Sequence, residues 1–280
     1  MSRFNISVSQ LNSQPNLDTN MEMCKKAVFE AAKNGSDLVA LPENFAYMGN
    51  EWEKYLKGDR ISDTVLQLIP LWAKESGIYI MAGGFPVRAD SGKVYNRSII
   101  VDPDGQIIAQ YDKIHLFDVT LSIDEVYRES DTVESGKPEP VVCEISTTKN
   151  GEKHSLKIGL TVCYDLRFPE LYRMLAEKGA ELIFVPAAFT VPTGKAHWEV
   201  LLRSRAIENT LYIAAPAQTG LHGDKRKTYG HSMIIDPWGE VIENGNSDPG
   251  MIHAEIDTSK ILQVRQKLPS LNHKVFSIKT

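Results

Sequence analysis

Three residues able to do carbonyl chemistry stand at comparable places in this chain. Cys163 closes the apolar run of "KIGLTVCYDLRFPE", Glu43 follows "DLVALP", and Lys113 follows "IIAQYD". Each lies where a strand is expected to end, and in open α/β sheets ligand sites gather at the carboxyl ends of strands. A thiol there can attack a carbonyl carbon, a carboxylate can take and return the proton, and an ammonium can steady the oxyanion. Glu43 lies between an apolar strand and Phe45, so burial is expected to raise its pKa toward that of a working base. The tight turn after Cys163, the helix begun by Pro169 and the charge of Lys113 are expected to draw the thiol toward thiolate. Taken singly, Glu43 and Lys113 also fit surface charges and Cys163 a structural thiol. Spacing alone does not choose.

The elements that must position these residues alternate along the chain. "FNISVSQL" has strand periodicity, and "NMEMCKKAVFEAAKNG" puts Cys24, Ala27, Val28, Ala31 and Ala32 on one helical face, stopped by Gly35. "DLVALPENF" is a short strand. "SDTVLQLIPLWAKESG" is a helix capped by Ser62 or Asp63, with Pro70 as a kink or boundary. "IYIMAGGF" is another strand, and a hairpin follows. The second half repeats the plan with strand "KIGLTVCYD", helix "FPELYRMLAEKG", strand "ELIFVPAAF", helix "KAHWEVLLRSRAIEN" with Trp198, Leu201, Leu202 and Ile207 on its apolar face, strand "TLYIAAPAQT" and a second hairpin. Asp102-Pro103-Asp104-Gly105 and Asp236-Pro237-Trp238-Gly239 stand 134 residues apart in those two hairpins. Both fit a turn in which proline presets φ and glycine permits its positive value. The duplication predicts an α/β fold of two packed sheets with helices outside. "STTKNGEKHS" is a surface hairpin turn between strands, and Cys143, like Cys24, is a buried structural thiol. The last segment, "ILQVRQKLPSLNHKVF", is a tail whose apolar residues need cover from another subunit.

Composition removes several classes. The chain has 280 residues and a net charge of -5, with a pI near 5.8, which argues against a nucleic-acid partner. "GDKRKTYG" is a local basic run that reads as a solvated loop. Three cysteines at irregular spacing form neither a disulfide framework nor a paired metal motif. His115, His197, His222 and His231 are too scattered for a zinc site, and Gly83-Gly84 lacks the spacing of a dinucleotide loop and fits close strand packing. No secretory signal or 18-residue apolar span is visible, so a soluble intracellular protein is expected, with no membrane partner. A papain-like pair of Cys163 with a histidine is the competing nucleophile scheme, and Glu43 and Lys113 count against it.

Taken together, "LPENF", "YDKIHLF" and "GLTVCYDLRFPEL" resemble the nitrilase, or carbon-nitrogen hydrolase, superfamily across nearly the whole chain. The resemblance implies a single domain over residues 1–280 with a four-layer αββα sandwich of two internally similar halves, its last 20 or so residues serving as an oligomer-contacting tail. It implies catalytic Glu43, Lys113 and Cys163, with Glu129 of "YRES" as a second glutamate that orients Lys113 and positions substrate or water. Glu43 would take the thiol proton as Cys163 attacks a primary amide, Lys113 and the Tyr164 amide would hold the oxyanion, Glu43 would protonate the leaving ammonia, and a thioester would be hydrolysed. Arg167, Tyr164 and His197 are the expected substrate contacts, with Arg173, Arg203 and Arg205 also available and His231 structural or functional. "HWEVLLRSRAIENTLYIAAPAQTG" and "KRKTYGHSMIIDPWG" are similar to amidases acting on deaminated glutathione. Omega-amidases acting on 2-oxoglutaramate or 2-oxosuccinamate are the alternative, and "DVTLSIDEVYRES" lacks the proline- and glycine-containing form common in both. No cofactor and no metal are implied. A homodimer is expected, in the cytoplasm or with a mitochondrial pool.

Overall fold

Alternation in "RFNISVSQ" places Phe4, Ile6 and Val8 on one face, and the segment forms strand β1 (Arg3–Gln10) with all three fully buried. The structure is a computed structural model that describes residues 2–121, 123 and 126–276. Ser122, Asp124 and Glu125 of "DVTLSIDEVYRES" lie outside them. The first half continues with α1 (Leu17–Lys33), β2 (Leu38–Leu41), α2 (Glu51–Leu56), α3 (Gly58–Ser76), β3 (Tyr79–Arg88), β4 (Val94–Val101) and β5 (Ile107–Asp112). A small hairpin, β6 (Asp118–Thr120) and β7 (Val126–Arg128), leads to the second half. That half contains β8 (Val142–Lys149), β9 (Glu152–Leu160), α4 (Pro169–Glu177), β10 (Leu182–Phe184), α5 (Val191–Asn209) and β11 (Tyr212–Ala215). It ends with β12 (Thr219–His222), β13 (Arg226–Tyr229), β14 (Met233–Ile235), β15 (Val241–Asn244), β16 (Gly250–Asp257) and α6 (Thr258–Lys267).

Two six-stranded mixed sheets result, in the orders β16-β1-β2-β3-β4-β5 and β15-β14-β11-β10-β9-β8. In each half three parallel strands, β1-β2-β3 or β9-β10-β11, are followed by two antiparallel ones. Alternate residues of the short parallel strands face opposite layers: Leu38 and Ala40 meet the other sheet, while Val39 and Leu41 meet α1 and α3. Three apolar layers therefore stack, with α1 and α3 on the first sheet, sheet on sheet, and α4 and α5 on the second. This is the four-layer αββα sandwich. Each large side chain fully buried between the sheets, such as Phe4, Ile158 or Phe184, contributes roughly 2 kcal/mol.

The duplicated turns match bond for bond. Asp102 N–H donates to Gln106 O (2.9 Å) and Asp236 N–H to Glu240 O (3.0 Å). Each aspartate Oδ1 accepts from the backbone two and four residues on, and Gly105 and Gly239 hold φ of +80° and +88°.

Two helices differ from expectation. α3 starts at Gly58, with no side-chain cap at Ser62, and passes through Pro70. Its buried stripe of Ile61, Val65, Ile69 and Trp72 begins before Ser62 and continues past the proline, so packing outweighs the lost backbone bond. On α5, Trp198 and Leu202 are buried, but Ile207 is exposed and Arg205 and Ala206 take the inner face. Asn150 and Gly151 turn the β8–β9 hairpin with positive φ. In the tail, Leu268, Val275 and Phe276 are exposed.

Candidate active site

Glu43 leaves the end of β2 through Pro42 and is buried. The next residue, Asn44, adopts φ +58°, and its N–H donates to Gly84 O (2.7 Å). Gly83 and Gly84 form an irregularity in the β3–β4 ladder. A Cβ at Gly83 would strike the carbonyl oxygens of Leu41 and Pro42, and one at Gly84 would overlap the Asn96 amide. Both glycines are therefore required by close approach. The space at Gly84 admits Asn96, whose Nδ2 donates to Glu43 Oε1 (2.9 Å) and Glu129 Oε1 (3.2 Å).

Lys113 follows the last residue of β5 and is also buried. Its Nζ lies 3.3 Å from Glu43 Oε1 and 3.0 and 2.8 Å from the two oxygens of Glu129. Glu129 is fixed from its other side by the Phe117 N–H (2.7 Å). One ammonium thus joins two carboxylates, and Asn96 spans the same pair.

Cys163 lies three residues beyond β9, at the start of a 3₁₀ turn over Cys163–Arg167, with φ +50°. That left-handed conformation costs a non-glycine residue on the order of 1 kcal/mol and must be held by its surroundings. Asp165, fully buried, does the holding. Its carboxylate accepts from Val162 N–H (2.8 Å), Tyr111 OH (2.7 Å) and His115 N–H (3.1 Å), and it contacts His115 Nδ1 (2.7 Å). These contacts tie the Cys163 turn to the segment carrying Lys113. The Cys163 N–H is spent on Pro186 O (2.9 Å). Among the described residues the Tyr164 N–H has no backbone acceptor, which leaves it available to an oxyanion.

The charge states differ from expectation. Burial works to raise the Glu43 pKa, but Lys113, the Cys163 hydrogen bond, Lys54 and Asn96 outweigh it and hold the carboxyl below its ordinary value. Cys163 moves the other way. Burial first, then the Glu43 charge, push the thiol well above 9.0 against the pull of Lys113 and the Ala188 amide. Burial would lower Lys113, yet Glu129 and Glu43 raise it well above 10.5. The resting site is a thiol hydrogen-bonded to a carboxylate beside an ammonium. Neither a raised glutamate nor a preformed thiolate is present.

The four residues open into a cavity of about 300 Å³, at the lower end of ligand-pocket sizes. Tyr164 and Arg167 line it. Arg167 lies over the Phe189 ring at 5.5 Å and the Tyr164 ring at 5.7 Å, and both its terminal nitrogens meet His197 Nδ1 at 3.3 Å. His197 itself is exposed on α5 and off the cavity wall, so it reaches the site only through Arg167. Arg173 is also off the wall. Arg203 and Arg205 are spent on Gly239 O and Leu166 O. His231 stacks on Tyr229 at 4.2 Å, away from the wall. The sequence reading missed Asn96, Asp165, Lys54, Arg128 and Arg226. Only Gly83-Gly84, which signals a close approach, pointed toward Asn96.

The profile described as carbon-nitrogen hydrolase matches residues 5–266. The chain is 46% identical over 269 residues to deaminated glutathione amidase of Synechocystis sp., covering 95% of this chain and 96% of that protein. It is 39% identical over 274 residues to deaminated glutathione amidase of Homo sapiens, covering 96% and 81%. Among solved structures, Saccharomyces cerevisiae Nit3, a member of branch 10 of the nitrilase superfamily, superposes with a TM-score of 0.81 at 30% identity, covering 96% of this chain and 95% of that one. The C. elegans NitFhit protein gives 0.88 at 35% identity, covering 98% of this chain and 66% of that longer one.

Proposed function

This chain belongs to the carbon-nitrogen hydrolase family, and from that premise we propose that it cleaves the 2-oxoglutaryl–cysteinyl amide of deaminated glutathione. The observation that carries the substrate is charge. The cavity wall bears Lys54, Lys113, Arg128, Arg167 and Arg226 against Glu43, Glu51, Glu129 and Asp131, an excess of one cation over all, and of two outside Glu43, Lys113 and Glu129, whose charges are paired with one another. Deaminated glutathione carries two carboxylates, one on its 2-oxo acid end and one on its glycine. 2-Oxoglutaramate carries one. The relatives named for deaminated glutathione support the same choice.

Cys163 attacks the amide carbon while its proton passes to Glu43, forming the carbon–sulfur bond. The oxyanion is held by Lys113 and the Tyr164 N–H. Glu43 returns the proton to the amide nitrogen and the carbon–nitrogen bond breaks. The scissile amide is secondary, so the leaving group is the amine of cysteinylglycine, where a primary amide would release ammonia. Water then attacks the 2-oxoglutaryl thioester with Glu43 as base, and sulfur leaves and recovers its proton. Glu129 and Asn96 keep Lys113 and Glu43 oriented throughout.

The test is kcat/KM for deaminated glutathione against 2-oxoglutaramate. A preference of about 10-fold or more for deaminated glutathione is expected from one further carboxylate contact. A preference for 2-oxoglutaramate reassigns the enzyme as an omega-amidase. The exposed Leu268, Val275 and Phe276 of the tail support a homodimer, and light scattering of the chain truncated after residue 267 tests it: the mass should fall to that of one copy.

A further inference from the structure

The basic run near residue 225 divides on folding. Asp224, Lys225 and Lys227 are exposed, but Arg226 turns inward and lines the catalytic cavity. The β12–β13 hairpin that carries it is pinned by buried His222, which bonds Ser13 O and Thr228 Oγ1, both at 2.6 Å. Arg226 Nη1 donates to Glu51 Oε1 (2.6 Å), and Glu51 Oε2 meets Lys54 Nζ (2.6 Å). Lys54, only 6% exposed, also donates to Asn44 Oδ1 (3.1 Å), the residue beside Glu43. Two cations therefore share one carboxylate. An ammonium has three donors and a guanidinium five, so Lys54 keeps one N–H and Arg226 several. Arg226 Nε is buried with no partner, and Glu51 Oε2 has only its ion pair with Lys54, so the cluster does not satisfy all of its own polar atoms.

This cluster and Arg167 lie at opposite ends of a run of rings. Arg226 is 6.0 Å from Tyr127, Tyr127 is 5.1 Å from Phe117, Phe117 is 5.1 Å from Tyr164, and Tyr164 is 5.7 Å from Arg167. Cys163 precedes Tyr164 in the chain, and Glu129, which binds Lys113, accepts from the Phe117 N–H. Lys54 itself is nearly buried, beside half-buried Arg226 and Glu51, whereas Arg167 contacts exposed His197. The geometry points to Lys54 and Arg226 as a carboxylate subsite for the acyl half of the substrate, with Glu51 holding both cations in place. Three carbons separate the scissile carbon from the carboxylate carbon of the 2-oxo acid, so the shorter acyl chain fits the Lys54 end. The dipeptide leaving group then extends past Arg167 and departs first. The subsite is specificity-determining and deepens the proposed function, since it assigns one end of that substrate.

The experiment compares glutaramate, an amide ending in a carboxylate, with uncharged pentanamide. Wild-type enzyme should favour glutaramate, and Arg226→Met should remove about 10- to 100-fold of that preference through KM while pentanamide turnover holds. Arg226→Lys should restore part of it. Lys54→Met should remove a comparable part of the preference, on top of a loss shared by both amides because Lys54 also helps lower Glu43, and Arg167→Met should leave the glutaramate preference intact. Melting temperatures exclude misfolding, and a misfolded Arg226→Met leaves the Arg226→Lys and Lys54→Met comparison to decide. Equal losses on both amides overturn the subsite even if deaminated glutathione is cleaved. Failure to cleave deaminated glutathione with an Arg226-dependent glutaramate preference overturns the substrate reading and leaves the subsite standing.

Discussion

Asp102 and Asp236 make the same turn in the two halves with the same four backbone partners. The other ends of the strands diverge. Counted from the paired registers Ile6↔Leu38 and Ile158↔Leu182, Cys163 corresponds to Leu11 and Glu43 to Ala187. Leu11 and Ala187 are buried apolar residues. Each half thus carries one reactive residue at a place where the other carries packing. Likeness between the halves marks what the sandwich needs, and difference marks what the chemistry needs.

The largest expected effect breaks this pairing at its centre. Cys163→Ala should lower turnover by at least about 10⁴-fold, since no other group can form the thioester, while the melting temperature holds. Leu11→Ala should do the reverse, costing about 3 kcal/mol in denaturant unfolding with kcat per folded molecule retained. Loss of stability alone at Cys163, or of turnover alone at Leu11, would erase the distinction.

Glu43 against Ala187 is the next contrast. Glu43→Gln should cost about 10³-fold in kcat. The lowered Glu43 and raised Lys113 pKa values set the pH profile. Glu43 stays a base down to below the usual carboxylate range, and Lys113 stays charged to above the usual lysine range. With 2-oxoglutaramate, which lacks a thiol of its own, kcat/KM should be flat from about pH 5 to 9. A limb between pH 6 and 8 would assign the base to a histidine or a preformed thiolate instead.

The fold was legible because its signals are local and repeated: strand alternation, a helical stripe at Cys24, and two Asp-Pro-X-Gly turns. The strand-end places of Cys163, Glu43 and Lys113 were legible because each follows a strand-like run, but their grouping was legible only through the resemblance of the three motifs together. Their charge states were not, because these depend on partners distant in sequence. Asn96 and Lys54 help lower Glu43, and Glu43 helps raise Cys163. Asp165 stood two residues from Cys163, yet its role comes from Tyr111 and His115. Arg226 looked solvated because nothing in "GDKRKTYG" distinguishes the one side chain that turns inward.

The hairpins beside the cavity give a third contrast. In β12–β13, burial lowers His222 to a pKa of about 4; β6–β7 has no histidine. His222 is neutral when folded, so its contribution is fully present above pH 6.5, where the unfolded chain is also neutral. It is lost as pH falls toward 4, because the unfolded state gains a proton that the folded state refuses. The loss should reach about 3 kcal/mol. His222→Gln should flatten stability across that window in urea titrations at pH 7 and pH 4.5, and an unchanged difference would remove His222 as its source.

The smallest effect tests the likeness itself. Asp102→Ala removes an acceptor for two backbone N–H groups in a partly exposed turn and should cost about 1 kcal/mol. Asp236→Ala removes the same acceptor from a fully buried position, where water cannot replace it, and also frees Lys260 from its ion pair. About 2 kcal/mol is expected there. Asn keeps the Oδ1 that the turn needs and discards the charge. Asp102→Asn should therefore be nearly neutral, while Asp236→Asn should retain the loss due to Lys260. Lys260 is 41% exposed, so that residue of the loss should be below about 1 kcal/mol. Equal costs for the two alanine variants in urea unfolding would mean that burial adds nothing to the second turn. A larger cost at Asp102 would mean that the matched bonds do not perform matched work.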